Sequence, residues 1–317
     1  MSPLRLAPPF AFVAALTLVG CANVDAVACR VGADCPSGVC RSDGVCIDAP
    51  SSSASSAASN ASSASSSSAS GSGGGGGGGS GGGAACMPNN DGMITAAEVP
   101  LRAGLHATFR AAENVPVDTA GSAQMDGSRT WDMTAMLSGD HAELVETQAI
   151  QGQWFAADFA NATYAAKLSD ASDLLGVFTV NASALTLDGV VSPMGGATKT
   201  ELTYMPPVIV VQFPFQEGTT WSTNATVSGT ADGVPAFYSE QYQSKVDAHG
   251  TLATPFSTFP VLRVNTSLVR TVGAVVTATR TFAFATECFG TIATTTSEPN
   301  DPTPEFTQAA ELARLSP

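Results

Sequence analysis

The chain has 317 residues, with 13 Lys and Arg against 27 Asp and Glu, for a formal net charge of −14. That length is enough for one sizeable core with appendages. The acidic balance repels nucleic acid and anionic lipid headgroups and argues against nucleic-acid binding.

The N-terminus reads "MSPLRLAPPFAFVAALTLVGC". Arg5 precedes an apolar run from Phe10 to Val19 that is too short to span a bilayer as a permanent helix, so residues 1–20 read as a cleaved signal. The ending Leu18-Val19-Gly20-Cys21 resembles a bacterial lipobox, in which the thiol takes diacylglycerol before signal peptidase II cuts ahead of it. The resemblance implies Cys21 as the lipidation site and the membrane as a partner through that anchor. With Ala22 rather than Asp after the Cys, the usual sorting rule implies the outer membrane, on its periplasmic or its cell-surface face.

Seven cysteines are present, and lipidation of Cys21 leaves an even six for an oxidising compartment. Four crowd into "CRVGADCPSGVCRSDGVC": Cys29, Cys35, Cys40 and Cys46. Without a C-x-x-C knuckle they fit a disulfide module over 21–50 better than zinc. Three connectivities are open, and Cys29–Cys40 with Cys35–Cys46 is favoured. The stretch 51–83 is Ser, Ala and Gly with a single Asn, too poor in apolar surface to order itself. As a flexible coil it spans roughly 30 Å and lets a folded domain swing on its anchor.

The folded domain is expected over 84–317. It opens with "MPNNDGMITAAEVP", 87–100, which resembles a degenerate EF-hand loop. Aligned on Gly92, Asn89 and Asp91 fall at two ligand positions, Ile94 at the apolar eighth and Glu98 at the bidentate last, a calcium site if competent. Met87 stands where the first Asp belongs, and Pro100 limits the outgoing helix to little more than a turn. A turn at Asn90-Asp91-Gly92 and a Thr95-x-x-Glu98 capping box account for the same residues, and no working metal site or other cofactor is expected.

Beyond Gly104, β-branched and aromatic segments recur between Gly, Asn, Asp and Pro. Strands are expected at 129–136, 174–180 and 184–191, and at 206–215 with Val208 to Val211 buried on both faces. A meander of long strands should follow over 236–250, 260–273 and 274–295, with a tight turn at Gly273. The segments 152–168 and 305–315 fit helix or strand equally. The fold class is mainly β, a curved antiparallel sheet closing as a half-barrel or a sandwich. Cys86 just after the tether and Cys288 in "FAFATECFGTI", read as a buried late strand, should pair and pin the start of the domain.

The stretches "FPFQEGTTW", "GTLATPFSTFPVLRV" and "ECFGTIATTTSE", after a Cys-rich module and a low-complexity tether, resemble a group of myxobacterial envelope lipoproteins. That likeness covers most of the mature chain and implies no activity. The same signposts resemble the half-barrels of LolA/LolB-like lipoprotein carriers, although Ser257 stands where their loop carries Gly. This second likeness implies an apolar ligand or lipid held in a β-sheet cup.

Catalytic signals are sparse. His106, His141 and His249 lie in no hydrolase motif, and Asp140-His141-x-Glu143 reads as a solvated acidic turn. Trp131, Trp154 and Trp221 are expected in the core rather than at a sugar or lipid site. The sequence therefore points to a non-enzymatic lipoprotein displaying a β domain to an envelope or extracellular partner, with a carrier or an envelope-polymer hydrolase as alternatives.

Overall fold

The structure is a computed structural model that describes residues 86–317. Cys21 and the module of Cys29, Cys35, Cys40 and Cys46 lie outside the described residues, as does the tether.

The described chain is almost entirely β. Its strands are β1 (Met93–Ile94), β2 (His106–Pro116), β3 (Ser122–Ala123), β4 (Arg129–Asp132), β5 (His141–Gln148), β6 (Tyr164–Ser169), β7 (Ser172–Val180) and β8 (Ala184–Val191). Then come β9 (Glu201–Gln212), β10 (Phe215–Gln216), β11 (Thr220–Ala231), β12 (Val234–Ala253), β13 (Thr258–Val272), β14 (Val275–Thr286), β15 (Gly290–Ser297) and β16 (Gln308–Leu315). The main sheet has 14 strands in the order β11-β9-β8-β7-β6-β5-β2-β16-β15-β14-β13-β12-β4-β3, and β11 also pairs with β12. The curved antiparallel sheet thus runs to closure as a ring of twelve strands, with β4 and β3 outside it. Closure leaves the ring without a free edge.

Period-two patterning sets the two faces. Along β12, Glu240, Ser244 and Val246 are buried inside, while Ser239, Gln241, Gln243 and Lys245 are exposed outside. On β11, Trp221, Thr223, Ala225 and Val227 point in, and Thr220, Ser222, Asn224 and Ser228 point out. The outward parity of these strands is mostly polar, with Phe237 an exposed apolar exception on β12.

The interior is filled from both ends. Phe213, Phe215, Trp221, Leu262 and Val264 occupy one end, where Ile94 and Val99 of the opening segment join them. Leu187, Leu202, Tyr204, Val208 and Val227 occupy the other. Two outer layers add to this. Phe155 and Phe159, in the turns between β5 and β6, cover Leu175, Val177 and Val191. Trp131 and Phe306 belong to chain that crosses outside β13 to β16, over Phe282, Phe284 and Leu312. A register shift at Val246/Ala248 in β12 makes this second layer work. It turns Ala248 and Leu252 from the inner face to the outer, against Trp131.

Two local expectations are corrected and one open reading is resolved. In 206–215 only Val208 and the final Phe213 and Phe215 are buried, while Ile209 to Val211 are half-buried, because the outer layers stop short of β9. The segment 152–168 is turns followed by β6, and 305–315 ends in β16, so neither forms a helix. Cys288 lies in the turn between β14 and β15 rather than in a strand, with φ 68°.

Candidate functional site

The opening segment caps one end of the ring. Cys86 and Cys288 form a disulfide across a sequence separation of 202. The Glu287 carboxylate accepts the backbone N–H groups of Asn89 at 2.6 Å and Asn90 at 3.1 Å, and the Cys288 N–H donates to the Glu98 carbonyl at 2.7 Å. β1 pairs with β10, seating Ile94 among the core aromatics.

The EF-hand-like residues do converge. The Asn89 side-chain amide donates to Glu98 at 2.8 Å and to Asp91 at 3.3 Å. Asn90 and Gly92 take φ of 54° and 83°, the left-handed turn that Asn and Gly tolerate. Thr95 and Glu98 form the capping box at the 3₁₀ turn Ala96–Glu98, with the Thr95 N–H donating to Glu98 Oε2 at 2.8 Å. Both Glu98 oxygens are occupied by protein donors. The turn-and-cap reading describes the geometry, and among the described residues no group of three His, Cys, Asp or Glu is arranged for a metal ion.

The three histidines stand on different strands, β2, β5 and β12. His106 is exposed on β2. His141 takes Asp170 as its partner, at 2.7 Å from Nε2, and lies 3.0 Å from the Gly139 carbonyl through Nδ1. Those two acceptors, the carbonyl first, hold its pKa above the ordinary value. Its sequence neighbours are engaged elsewhere: Asp140 with Arg314, and Glu143 with Lys167 at 2.7 Å. His249 Nδ1 lies 2.7 Å from Glu217. Trp131 and Trp221 are buried, as expected for core residues, and Trp154 is half-buried beneath the Lys199 ammonium, 4.8 Å from its ring centre.

Sequence reasoning missed an interior polar cluster. Glu240 is fully buried and accepts from Arg270 Nε at 2.6 Å and from the Tyr242 hydroxyl at 2.6 Å. Tyr204 and Tyr238 complete the wall, with the Arg270 guanidinium 5.4 Å from the Tyr238 ring centre. Burial, reinforced by Glu240, pushes the Tyr204 and Tyr242 hydroxyls far above the usual tyrosine range, so both stay protonated donors. The signal was present: Tyr238, Glu240 and Tyr242 share one parity of β12, against Ser239, Gln241 and Gln243 on the other.

The outer face carries a different arrangement. A polar groove of about 520 Å³ crosses β11 to β14. Register aligns Ser222, Gln243, Ser267 and Arg280 in one row across four strands, and Thr220, Lys245 and Asn265 in the next. Its lining contains no carboxylate.

No family model matches the chain, and neither the curated proteins nor the solved structures yield a match.

Proposed function

We propose that this protein is a lipid-anchored envelope lipoprotein that displays its barrel on a flexible tether as a binding module of the outer membrane. The anchor reading rests on the lipobox-like Leu18-Val19-Gly20-Cys21 and the Ser/Gly stretch that follows the Cys-rich module. The observation that supports display over transport is where side chains are spent. The ring interior is occupied by Trp221, Phe213, Phe215, Tyr204 and Val208, whereas a groove lined mainly by polar side chains stands open on the outer face of β11 to β14. A carrier needs an apolar space that its own side chains do not fill. A hydrolase needs a nucleophile on its base, and among the described residues neither His141 nor His249 has a hydroxyl or thiol as hydrogen-bond partner.

The test is metabolic labelling with a radioactive fatty acid. The wild-type chain should be labelled and found in the outer-membrane fraction, and Cys21→Ala should lose label and remain unprocessed by signal peptidase II. Equal labelling of the variant overturns the anchor.

A further inference from the structure

We propose that the groove across β11 to β14 binds an acidic polysaccharide, a linear glycan carrying carboxylates. This deepens the display reading by naming the partner class, and it rests on the groove alone, not on the anchor.

Charge gives the first argument. In a chain of net charge −14, Lys167, Lys199, Arg263, Arg270 and Arg314 sit in ion pairs, while Arg102, Arg110 and Arg129 have none among the described residues but do not line the groove. Lys245 and Arg280 face the groove and form no ion pair among the described residues. Arg280 spends one nitrogen on the Thr303 carbonyl at 2.9 Å, which fixes the guanidinium at the groove wall and leaves its other N–H groups free. Two unpaired cations in a groove without carboxylates form a local positive site on an acidic molecule, and such a site selects anions.

The remaining lining decides which anion. Ser222, Gln243 and Ser267 join Arg280 in one row, and Thr220 and Asn265 flank Lys245 in the other. Strands repeat at about 4.8 Å and same-face residues at about 7 Å, so hydroxyls and amides recur on a regular lattice. Hydroxyls and amides both donate and accept, the pairing that a chain of sugar hydroxyls requires. Asn265 is oriented by its bond to Asp247 at 2.9 Å, which leaves its carbonyl oxygen toward other donors. A protein partner would demand aromatic or aliphatic anchors. Trp221 is the aromatic residue of the lining, and its indole is turned inward, donating to the Ile209 carbonyl at 3.0 Å. The same inward indole removes the stacking platform on which a neutral sugar would depend.

The experiment is titration calorimetry on the mature full-length chain in detergent, with an oligogalacturonate as probe and a maltooligosaccharide of equal length as control. The acidic probe should bind, and the neutral one should bind at least tenfold more weakly. Raising NaCl from 50 to 500 mM should weaken binding. Lys245→Gln and Arg280→Gln should each weaken it about tenfold, in line with loss of one charge-assisted contact. Because Arg280 also holds the Thr303 carbonyl, Gln243→Ala is the second probe of the lattice, expected to weaken binding severalfold at an unchanged melting temperature. Equal affinity for the neutral oligomer, equal affinity for acetate alone, or full binding by Lys245→Gln overturns the proposal. Fatty-acid labelling of the same preparations separates a failed groove from a failed anchor.

Discussion

The two sides of the barrel's outer surface treat their cations in opposite ways. Over β13 to β16 the wall is covered, and the arginines beneath the cover are locked. Arg263, 3% exposed, is held by Asp247 at 2.8 Å, Glu305 at 2.8 Å and the Thr119 carbonyl, with the Phe282 ring centre 4.3 Å away. Arg314 is 1% exposed against an Asp140 that is 2% exposed, and its Nη1 donates to the Ala135 carbonyl at 3.1 Å. Both fasten covering chain to the ring. Around the groove, on the part of β11 to β14 that the layer of Trp131 and Phe306 does not reach, Lys245 and Arg280 form no ion pair among the described residues. A buried charge must be satisfied by its own protein. A charge at a bare groove is free for a ligand. Residue type alone does not separate the structural arginines from the binding ones; the cover does.

The largest effect should come from breaking the covered side. Asp140→Ala strands the Arg314 guanidinium, whose pKa burial already depresses and whose Nε has no partner. Removing one member of such a pair costs about 3–5 kcal/mol. Urea unfolding should show that loss, while Lys245→Gln on the bare side should stay within about 0.5 kcal/mol of wild type. Similar costs for the two variants would erase the distinction between the faces.

Next comes the cap at the end of the ring. In the chain-entropy description, a disulfide closing a loop of 202 residues stabilises by about 5 kcal/mol, and native bridges commonly deliver about 2–4. Cys288→Ser should therefore lower the melting temperature by several degrees, and a non-reducing peptide map should show Cys86 joined to Cys288. The Glu287 bonds to Asn89 and Asn90 should keep part of the cap in place, so the loss stays below the entropic figure.

Much of the wall was legible locally. The strand read at 184–191 coincides with β8, and the turn read at Gly273 joins β13 to β14. Alternation and turn residues encode these within ten positions or so. Closure was not legible, because the β2–β16 pairing joins distant parts of the chain and no local pattern specifies it. The segment "QAAELARL" resisted for a related reason. Arg314 is almost wholly buried, and an arginine on the buried parity of a strand disguises the period until Asp140 is found opposite it. His141 was read from its sequence neighbours, but its partner Asp170 comes from the turn after β6.

The smallest effect concerns that histidine and has a definite sign. Its pKa is raised because the Gly139 carbonyl and Asp170 both favour the protonated ring; Glu143 and Lys167 also face it, Lys167 competing for Asp170 at 3.5 Å. A group whose folded pKa lies above its unfolded value of 6.5 contributes stability that is fully present below 6.5 and lost as the pH rises through the folded pKa. The side chain is 50% exposed, so solvent screening limits the contribution to no more than about 1 kcal/mol. His141→Gln should then melt below wild type at pH 5.5, by about 2–4 °C at most, and the gap should close by pH 9. A gap that widened toward alkaline pH would mean that the neutral ring is the stabilising form. That would assign Asp170 to Lys167 rather than to His141.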